Sequence, residues 1–507
     1  MMKCVSLLVL LCATCFNAIS PDFALSKNAS KPMNVVFILA DDLGWSDTEL
    51  YGHTELYKTP NLLRLAERGR TFARAYSNSP LCSPIRASIL TGQTPTRHGS
   101  TRPQHHTNQV LMKPELLKTG PASEKALRVQ TATRLDTAFP TLGKVMNQAG
   151  YHTGHFGKWH LGREPFSPYE HGFDVDIPHW PGPGPAGSFV APWKFKNFKA
   201  NYEGEHIEDR MAEESIQWMK SLPADKPFFM NYWQFSVHAP FNAKAELIDE
   251  YKKVIDPSSA QRSPTYAAMV HSLDDAVGSL LDAIDEKGIA DHTIIIFTSD
   301  NGGNMYNSIK EDGDVTPTSN APLRGGKGSI FDGGIRVPCI VVWPGVTTPG
   351  SQSDELIQTS NFYPTLLNGL GIPLPENHAI DSIDIKPALQ GKKLERKGIF
   401  TYFPSQTNVP DWLPPSVAVH SGKWKLIRVF FGGEALGQHD CKLYDFSEDI
   451  GEKHNLAAAR PELVAKLDRM IEDHLTETKA VTPKPNPNFD PEQFDPGLIG
   501  IRVSKKK

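Results

Sequence analysis

The sequence predicts an α/β fold: a large mixed, mostly parallel central sheet flanked by helices, followed by a smaller C-terminal α+β subdomain. Three observations carry that prediction. Apolar runs without polar alternation recur at Asn34–Ala40, Phe228–Phe235 and Thr293–Ser299, as strands covered on both faces require. Helical periods separate them, at Asn61–Ala73, Phe139–Ala149 and Pro264–Lys287, which is the alternation of an open sheet. After about residue 390 the texture changes to short strands at Val417–Ser421, Trp424–Phe431 and Lys442–Phe446, then an amphipathic helix over Pro461–Thr476.

The 507 residues therefore divide into a targeting segment (1–26), the main α/β domain (27–392), the C-terminal subdomain (393–480) and a proline-rich tail (481–507). Lys3, the apolar run Val5–Phe16 and the small residues of Ala24-Leu25-Ser26 form an export signal. The run is too short to span a membrane, so a periplasmic or secreted protein is expected. Cleavage would leave Cys82, Cys339 and Cys441, which make no disulfide framework. Cys339 lies in the apolar stretch Val337–Trp343 and reads as a buried strand residue. With a net charge of -4, no global basic field points to nucleic acid. Any anion must be recognised locally.

The first and third apolar runs end in Asp41-Asp42 and Asp300-Asn301. Ligands of open sheets bind beyond the carboxyl ends of the strands. Three carboxylates and an amide oxygen suit a hard divalent cation, calcium before magnesium, and no zinc spacing accompanies them. Either pair alone reads better as a cap or a turn. Lys158 and His160 are two apart and share a face if the segment is extended; one can hold an oxyanion, the other can move a proton. His238 follows the second run. Lys327 sits among glycines in Leu323–Gly328, where the backbone can approach a ligand closely. His155, Arg324 and Arg336 read as structural.

Leu81-Cys82-Ser83-Pro84-Ile85-Arg86, closed by Thr91-Gly92, decides the reading. Pro84 fits the first turn of a helix, which puts Cys82 at the positive helix end and Arg86 on the same face. Both would point at one anion. The pattern resembles the signature of type I, formylglycine-dependent sulfatases of the alkaline phosphatase superfamily, arylsulfatase or N-acetylgalactosamine-6-sulfatase-like. Ile85 stands where that family has serine. Gly157-Lys158-Trp159-His160-Leu161-Gly162, His238-Ala239-Pro240, Lys327 and the stretch at 442–456 resemble further family elements, in the family's order.

The resemblance implies an alkaline phosphatase-like fold and a sulfuric ester hydrolase. It implies that a formylglycine-generating enzyme converts Cys82 to 3-oxoalanine, whose hydrate attacks sulfur. One Ca2+ is then held by Asp41, Asp42, Asp300, Asn301 and residue 82. Arg86, Lys158 and Lys327 neutralise the sulfuryl oxygens, His238 with Lys327 protonates the leaving oxygen, and His160 removes the proton of the second hydroxyl. A sulfated carbohydrate, polysaccharide or glycosaminoglycan fragment, is the expected substrate. The segments 101–134, with Arg102, His105 and His106, and 177–193 are expected at the cleft. Two alternatives stand beside it: a phosphonate monoester hydrolase or phosphodiesterase of the same superfamily, and a secreted glycan-binding relative without catalysis.

Overall fold

The computed structural model describes residues 32–503; the targeting segment lies outside the described residues. Eight strands make the main sheet: β1 (Asn34–Ala40), β2 (Arg70–Phe72), β3 (His152–Gly157), β4 (Val175–Ile177), β5 (Phe228–Trp233), β6 (Thr293–Ser299), β7 (Cys339–Val342) and β8 (Ser351–Ser353). Their spatial order is β8-β2-β7-β6-β1-β5-β3-β4. From β6 to β4 every pair is parallel, while β7 runs antiparallel to both β6 and β2. This is the mixed, mostly parallel sheet expected.

The centre of the sheet is dry on both faces. Val36, Ile38 and Ala40 of β1 join one apolar cluster, and Val35, Phe37 and Leu39 join the other. That is the two-residue alternation of a strand with nothing left for solvent. The helices α4 (Ile207–Ser221) and α5 (Pro264–Glu286) supply Met211, Met219, Leu273 and Leu280 to the first cluster. On the other face α2 (Cys82–Thr91), α3 (Leu142–Gln148) and α6 (Phe362–Gly369) supply Ile85, Ile89, Leu142 and Leu366. Each such fully buried aliphatic side chain stabilises the fold by about 1.5–3 kcal/mol.

Register then fixes where the chemistry lies. Ala40 pairs with Ser299, and Trp233 pairs with both Leu39 and Gly157. The carboxyl ends of β1, β6, β5 and β3 are therefore level. The residues that follow each end emerge side by side.

One helix boundary differs from expectation. α1 covers Pro60–Arg68 and does not run to Ala73, because Gly69 ends it and Arg70–Phe72 becomes a strand. A Cβ at Gly69 would lie 2.3 Å from the Val341 carbonyl oxygen, so only glycine lets the chain turn into the sheet there. α3 is also shorter than the helix read over Phe139–Ala149.

The C-terminal strands β9 (Ile399–Phe403), β10 (Ser416–Ser421), β11 (Trp424–Val429) and β12 (Asp440–Asp445) form an antiparallel sheet in that order. The helix α7 (Pro461–Glu477) buries Leu467, Ile471 and Leu475 against it. Past α7 the tail drapes over the 101–134 segment: Lys484–Pro485 pair with Ala126–Leu127, and the Asn486 amide donates to the Pro121 and Glu124 carbonyls, each at 2.8 Å. No helix among the described residues is long and apolar enough to cross a membrane.

Candidate active site

Cys82 opens α2, with Leu81 as the extended N-cap and Gly92 closing the helix in the left-handed conformation. Its Sγ lies within 4.8 Å of ligand atoms of Asp41 and Asp300, and likewise of Asp42 and His238. The turns after the strands hold these groups by backbone pairing. Asp41 N–H donates to Ser236 O at 2.8 Å and Val237 N–H donates back to Asp41 O at 2.5 Å. Asp42 is left-handed, φ 64°, and its N–H donates to Asp300 Oδ1 at 3.1 Å. A non-glycine residue held in that region costs free energy that its surroundings must supply. Here the residues on both sides are pinned.

The charges are arranged in pairs. Lys158 Nζ lies 2.6 Å from Asp41 Oδ2, and Lys327 Nζ lies 2.6 Å from Asp42 Oδ2. Arg86 is wholly buried and donates through Nε and Nη2 to Asp300 Oδ2, at 3.2 and 2.8 Å, and through Nη1 to Lys158 O at 2.7 Å. The guanidinium expected to face an anion is thus committed to orienting Asp300, and it reaches the site through that carboxylate. Asn301 Nδ2 donates to Asp42 Oδ1 at 2.8 Å.

Two buried oxygens in this ring have no hydrogen-bond partner: Asn301 Oδ1, and Asp41 Oδ1, which has only Arg86 Nη2 at 3.7 Å. Buried lone pairs are rarely left unused in native proteins. Burial, which outweighs Lys158 and is joined by Asp300 and Asp42, pushes the Asp41 carboxyl well above its usual range. Burial alone would raise Asp42 too, but Lys327, His238 and Lys158 hold it at about 2. An oxygen-only donor set with unused lone pairs fits a hard divalent cation, and these residues are the ones predicted to hold it.

Burial also pushes the Cys82 thiol up to about 11 despite Lys158 and Lys327. At neutral pH roughly one part in ten thousand is thiolate, so the unaltered side chain is a weak nucleophile. Both imidazoles are held neutral, their pKa values well below normal. For His238 the cause is burial, then Lys327 and Lys158, with Asp42 opposing; for His160 it is burial, then Lys158. His238 places Nδ1 2.5 Å from Ala239 O. A carbonyl only accepts, so Nδ1 carries the hydrogen and Nε2 turns to Asp42 Oδ2, 3.9 Å away.

His160 departs from expectation. β3 ends at Gly157, and His160 is left-handed with φ 56°, so the segment is not extended and the shared-face argument does not apply. His160 Nε2 lies 2.9 Å from His106 Nδ1, and the His160 carbonyl accepts from Ser83 Oγ at 2.7 Å. Of the 101–134 residues expected at the cleft, His106 touches a predicted catalytic side chain. His105 is buried against Ser100. The 177–193 segment reaches the site at Gly184, where a Cβ would lie 3.1 Å from His238 Nδ1.

Sequence reasoning missed two supports. Glu208 Oε1, in the first turn of α4, accepts from the N–H groups of Phe235 and Ser236 at 2.9 and 2.7 Å and so holds the turn that carries His238. Tyr306 is half-buried, close enough to Lys327, Asp42 and Cys82 for their charges to act on it. An acid two residues into a helix is an ordinary cap, and nothing local marks either residue. Cys339 is buried in β7, as expected. His155 packs among Trp159, Phe173 and Trp233. Arg336 donates to Ala73 O at 2.8 Å.

Cationic groups and a cation-ready oxygen ring gathered around one helix start suit an enzyme that acts on anionic esters. A family model described as Sulfatase matches residues 33–372, and the chain belongs to the sulfatase family. A second, described as N-sulphoglucosamine sulphohydrolase, C-terminal, matches 326–480. Human N-acetylgalactosamine-6-sulfatase is 31% identical over 398 residues, 74% of this chain and 69% of that one. Human arylsulfatase A is 31% identical over 87% of both chains. The crystal structure of Ps i-CgsB in complex with k-i-k-neocarrahexaose superposes with a TM-score of 0.70 at 25% identity, covering 88% of this chain and 93% of that one.

Proposed function

We propose that the protein releases inorganic sulfate from sulfated carbohydrates, with Cys82 matured to formylglycine and one calcium ion held by Asp41, Asp42, Asp300 and Asn301 beside residue 82. The observation that carries this reading is the contrast at Cys82: a thiol kept neutral by burial, seated against a ring of carboxylates with unused oxygens. A formylglycine hydrate supplies the nucleophile that such a thiol is not, and calcium supplies the charge that the carboxylates lack.

The remaining chemistry belongs to side chains of this chain. Lys158 and Lys327 neutralise Asp41 and Asp42; once a cation shares that load, their ammonium groups are free to hold sulfuryl oxygens. Arg86 fixes the Asp300 carboxylate and with it one wall of the cation site. His238 acts at Nε2, the nitrogen left open by the Ala239 carbonyl. Burial and the lysines oppose its charged form, and a sulfuryl anion beside Asp42 favours it, so the imidazolium that protonates the leaving oxygen forms when substrate is bound. His160 takes the return proton with His106 behind it.

A carbohydrate substrate is supported by the names of the relatives and by the two segments that reach the site histidines. His106 brings the 101–134 segment to His160, and Gly184 brings the 177–193 segment, with Trp180, to His238. Aromatic faces of this kind can stack on sugar rings. The test is sulfate release from a panel of defined sulfated oligosaccharides, run beside an aryl sulfate, an aryl phosphodiester and an aryl phosphonate. Turnover of one sulfated sugar above the aryl sulfate is expected. Faster turnover of the phosphorus esters would contradict the reading in favour of phosphonate monoester or phosphodiester hydrolysis, and binding of sulfated glycans without turnover in the matured protein would favour a glycan-binding role. Export is part of the same proposal, and the N-terminal sequence of protein recovered outside the cytoplasm tests it.

A further inference from the structure

The stretch at 442–456 takes no part in the chemistry above, yet Glu452 within it is completely buried. It meets Lys425 of β11 and Asp332, a residue of the main domain just beyond the Lys327 turn. Lys425 Nζ lies 2.7 Å from Glu452 Oε1, 2.9 Å from Asp332 Oδ1 and 3.0 Å from Ile330 O. Glu452 Oε2 accepts the Asp332 N–H at 2.6 Å. His420 Nε2 and the Tyr76 hydroxyl complete the shell of Asp332, at 3.1 and 2.8 Å. Burial would raise the Asp332 carboxyl, but Lys425 and His420 outweigh it and hold it far below the carboxylate range.

What Asp332 is attached to gives this cluster a reach into the site. Gly333 N–H donates to Arg324 O at 2.8 Å, Gly302 N–H donates to Gly334 O at 3.0 Å, and Lys327 N–H donates to Gly303 O at 3.1 Å. A Cβ at Gly302 would lie 1.7 Å from Gly333 O, and one at Gly333 would lie 2.2 Å from Gly325 O. Three strips of backbone are thus in van der Waals contact: the Asp332–Gly334 turn, the Lys327 turn and the segment directly after Asp300-Asn301. With no free space between them, a shift of Asp332 is passed to both neighbours.

We propose that Lys425 and Glu452 are positioning residues of the active site: from the C-terminal subdomain they fix Asp332, and through it the turn that presents Lys327 to the sulfate group. This rests on the reading of Lys327 as a sulfate-holding residue.

The experiment measures the affinity of the full chain, purified with its metal, for inorganic sulfate, together with kcat and KM on an aryl sulfate and with Tm. Glu452→Ala is expected to weaken sulfate binding and lower kcat/KM in step, by about tenfold. Glu452→Gln, which keeps an acceptor for the Asp332 N–H, is expected to recover most of both. Should Glu452→Ala fail to fold, Tyr76→Phe removes one bond to Asp332 at almost constant volume, and a loss of about threefold in sulfate affinity is expected on the same reasoning. Lys327→Ala is the control. If it weakens sulfate binding while the Glu452 and Tyr76 variants lower only Tm, the positioning role is wrong and the Lys327 reading stands. If Lys327→Ala itself leaves sulfate affinity unchanged, both are wrong.

Discussion

Two clusters of buried charge in this chain differ in how fully their polar atoms are used. At the junction with the C-terminal subdomain, each carboxylate oxygen of Asp332 and Glu452 has a donor. At the sheet edge Asp41 Oδ1 and Asn301 Oδ1 have none, although Asp41 and Asn301 are no more exposed than the junction residues. In the first arrangement every carboxylate oxygen is used, and only His420 Nδ1 lacks a partner, so its work is to hold parts of the protein together. The second keeps lone pairs in reserve, which is what a site awaiting a cation must do. Burial of charge alone does not tell a structural cluster from a functional one; carboxylate and amide oxygens left unused together in one ring point to a ligand.

The largest expected effect separates chemistry from folding at the sheet edge. Cys82→Ala should lower turnover by at least about a thousandfold and leave Tm almost unchanged, since a small buried side chain is replaced by one slightly smaller. Turnover retained in that variant would remove residue 82 as the nucleophile. Next, Asp300→Ala should lose bound divalent metal and activity together, by about a hundredfold or more; metal analysis of the purified variant checks it, and a normal calcium content would break the ligand set.

The comparison itself is sharpened by removing one cation from each cluster. Lys425→Met leaves two buried carboxylates without their partner and should destabilise the fold by about 3–5 kcal/mol, whatever the metal content. Lys158→Met should cost much less in the calcium-loaded protein and approach that figure only after chelation. Denaturant titrations with and without chelator measure both. Equal costs under all conditions would erase the distinction.

The smallest effect concerns Glu208. Burial outweighs its hydrogen bonds from Ser236 and Phe235 and pushes its carboxyl from 4.5 up to about 7. Between those values the folded chain keeps a proton that the unfolded chain has released, so stability falls as pH rises from 4.5 towards 7 and stays lower above it. Glu208→Gln removes this dependence while keeping the acceptor. The variant should therefore gain on the parent by up to about 3 kcal/mol between pH 5 and pH 8, read as Tm differences at the two values. A constant difference would mean that Glu208 is ionised throughout.

How much of this was legible in the sequence follows from the range of the interactions. Asp41-Asp42 and Asp300-Asn301 could be placed at one edge because an apolar run followed by acids reads locally, and parallel pairing does the rest. The start of α2 at Cys82 was legible for the same reason. What the chain does not announce is pairing across it. Arg86 spends its donors on an aspartate 214 residues away, His106 meets His160 across 54 residues, and Lys425 meets Asp332 across 93. The boundary of α1 escaped because Gly69 looks like a tolerable helix residue until β7 is packed against it. The fold was thus readable from strand ends, the site in its composition, and the roles of Arg86, Glu208 and Glu452 only from contacts.

One measurement bears most directly on the central claim, that residue 82 acts as a carbonyl made after synthesis and not as a thiol. The peptide spanning Leu81–Arg86 should be isolated from enzyme that is fully active on a sulfate ester, and its mass determined with and without a hydrazide reagent. The account predicts an aldehyde at residue 82 that reacts with the hydrazide, in proportion to specific activity. An intact cysteine in fully active enzyme would contradict it.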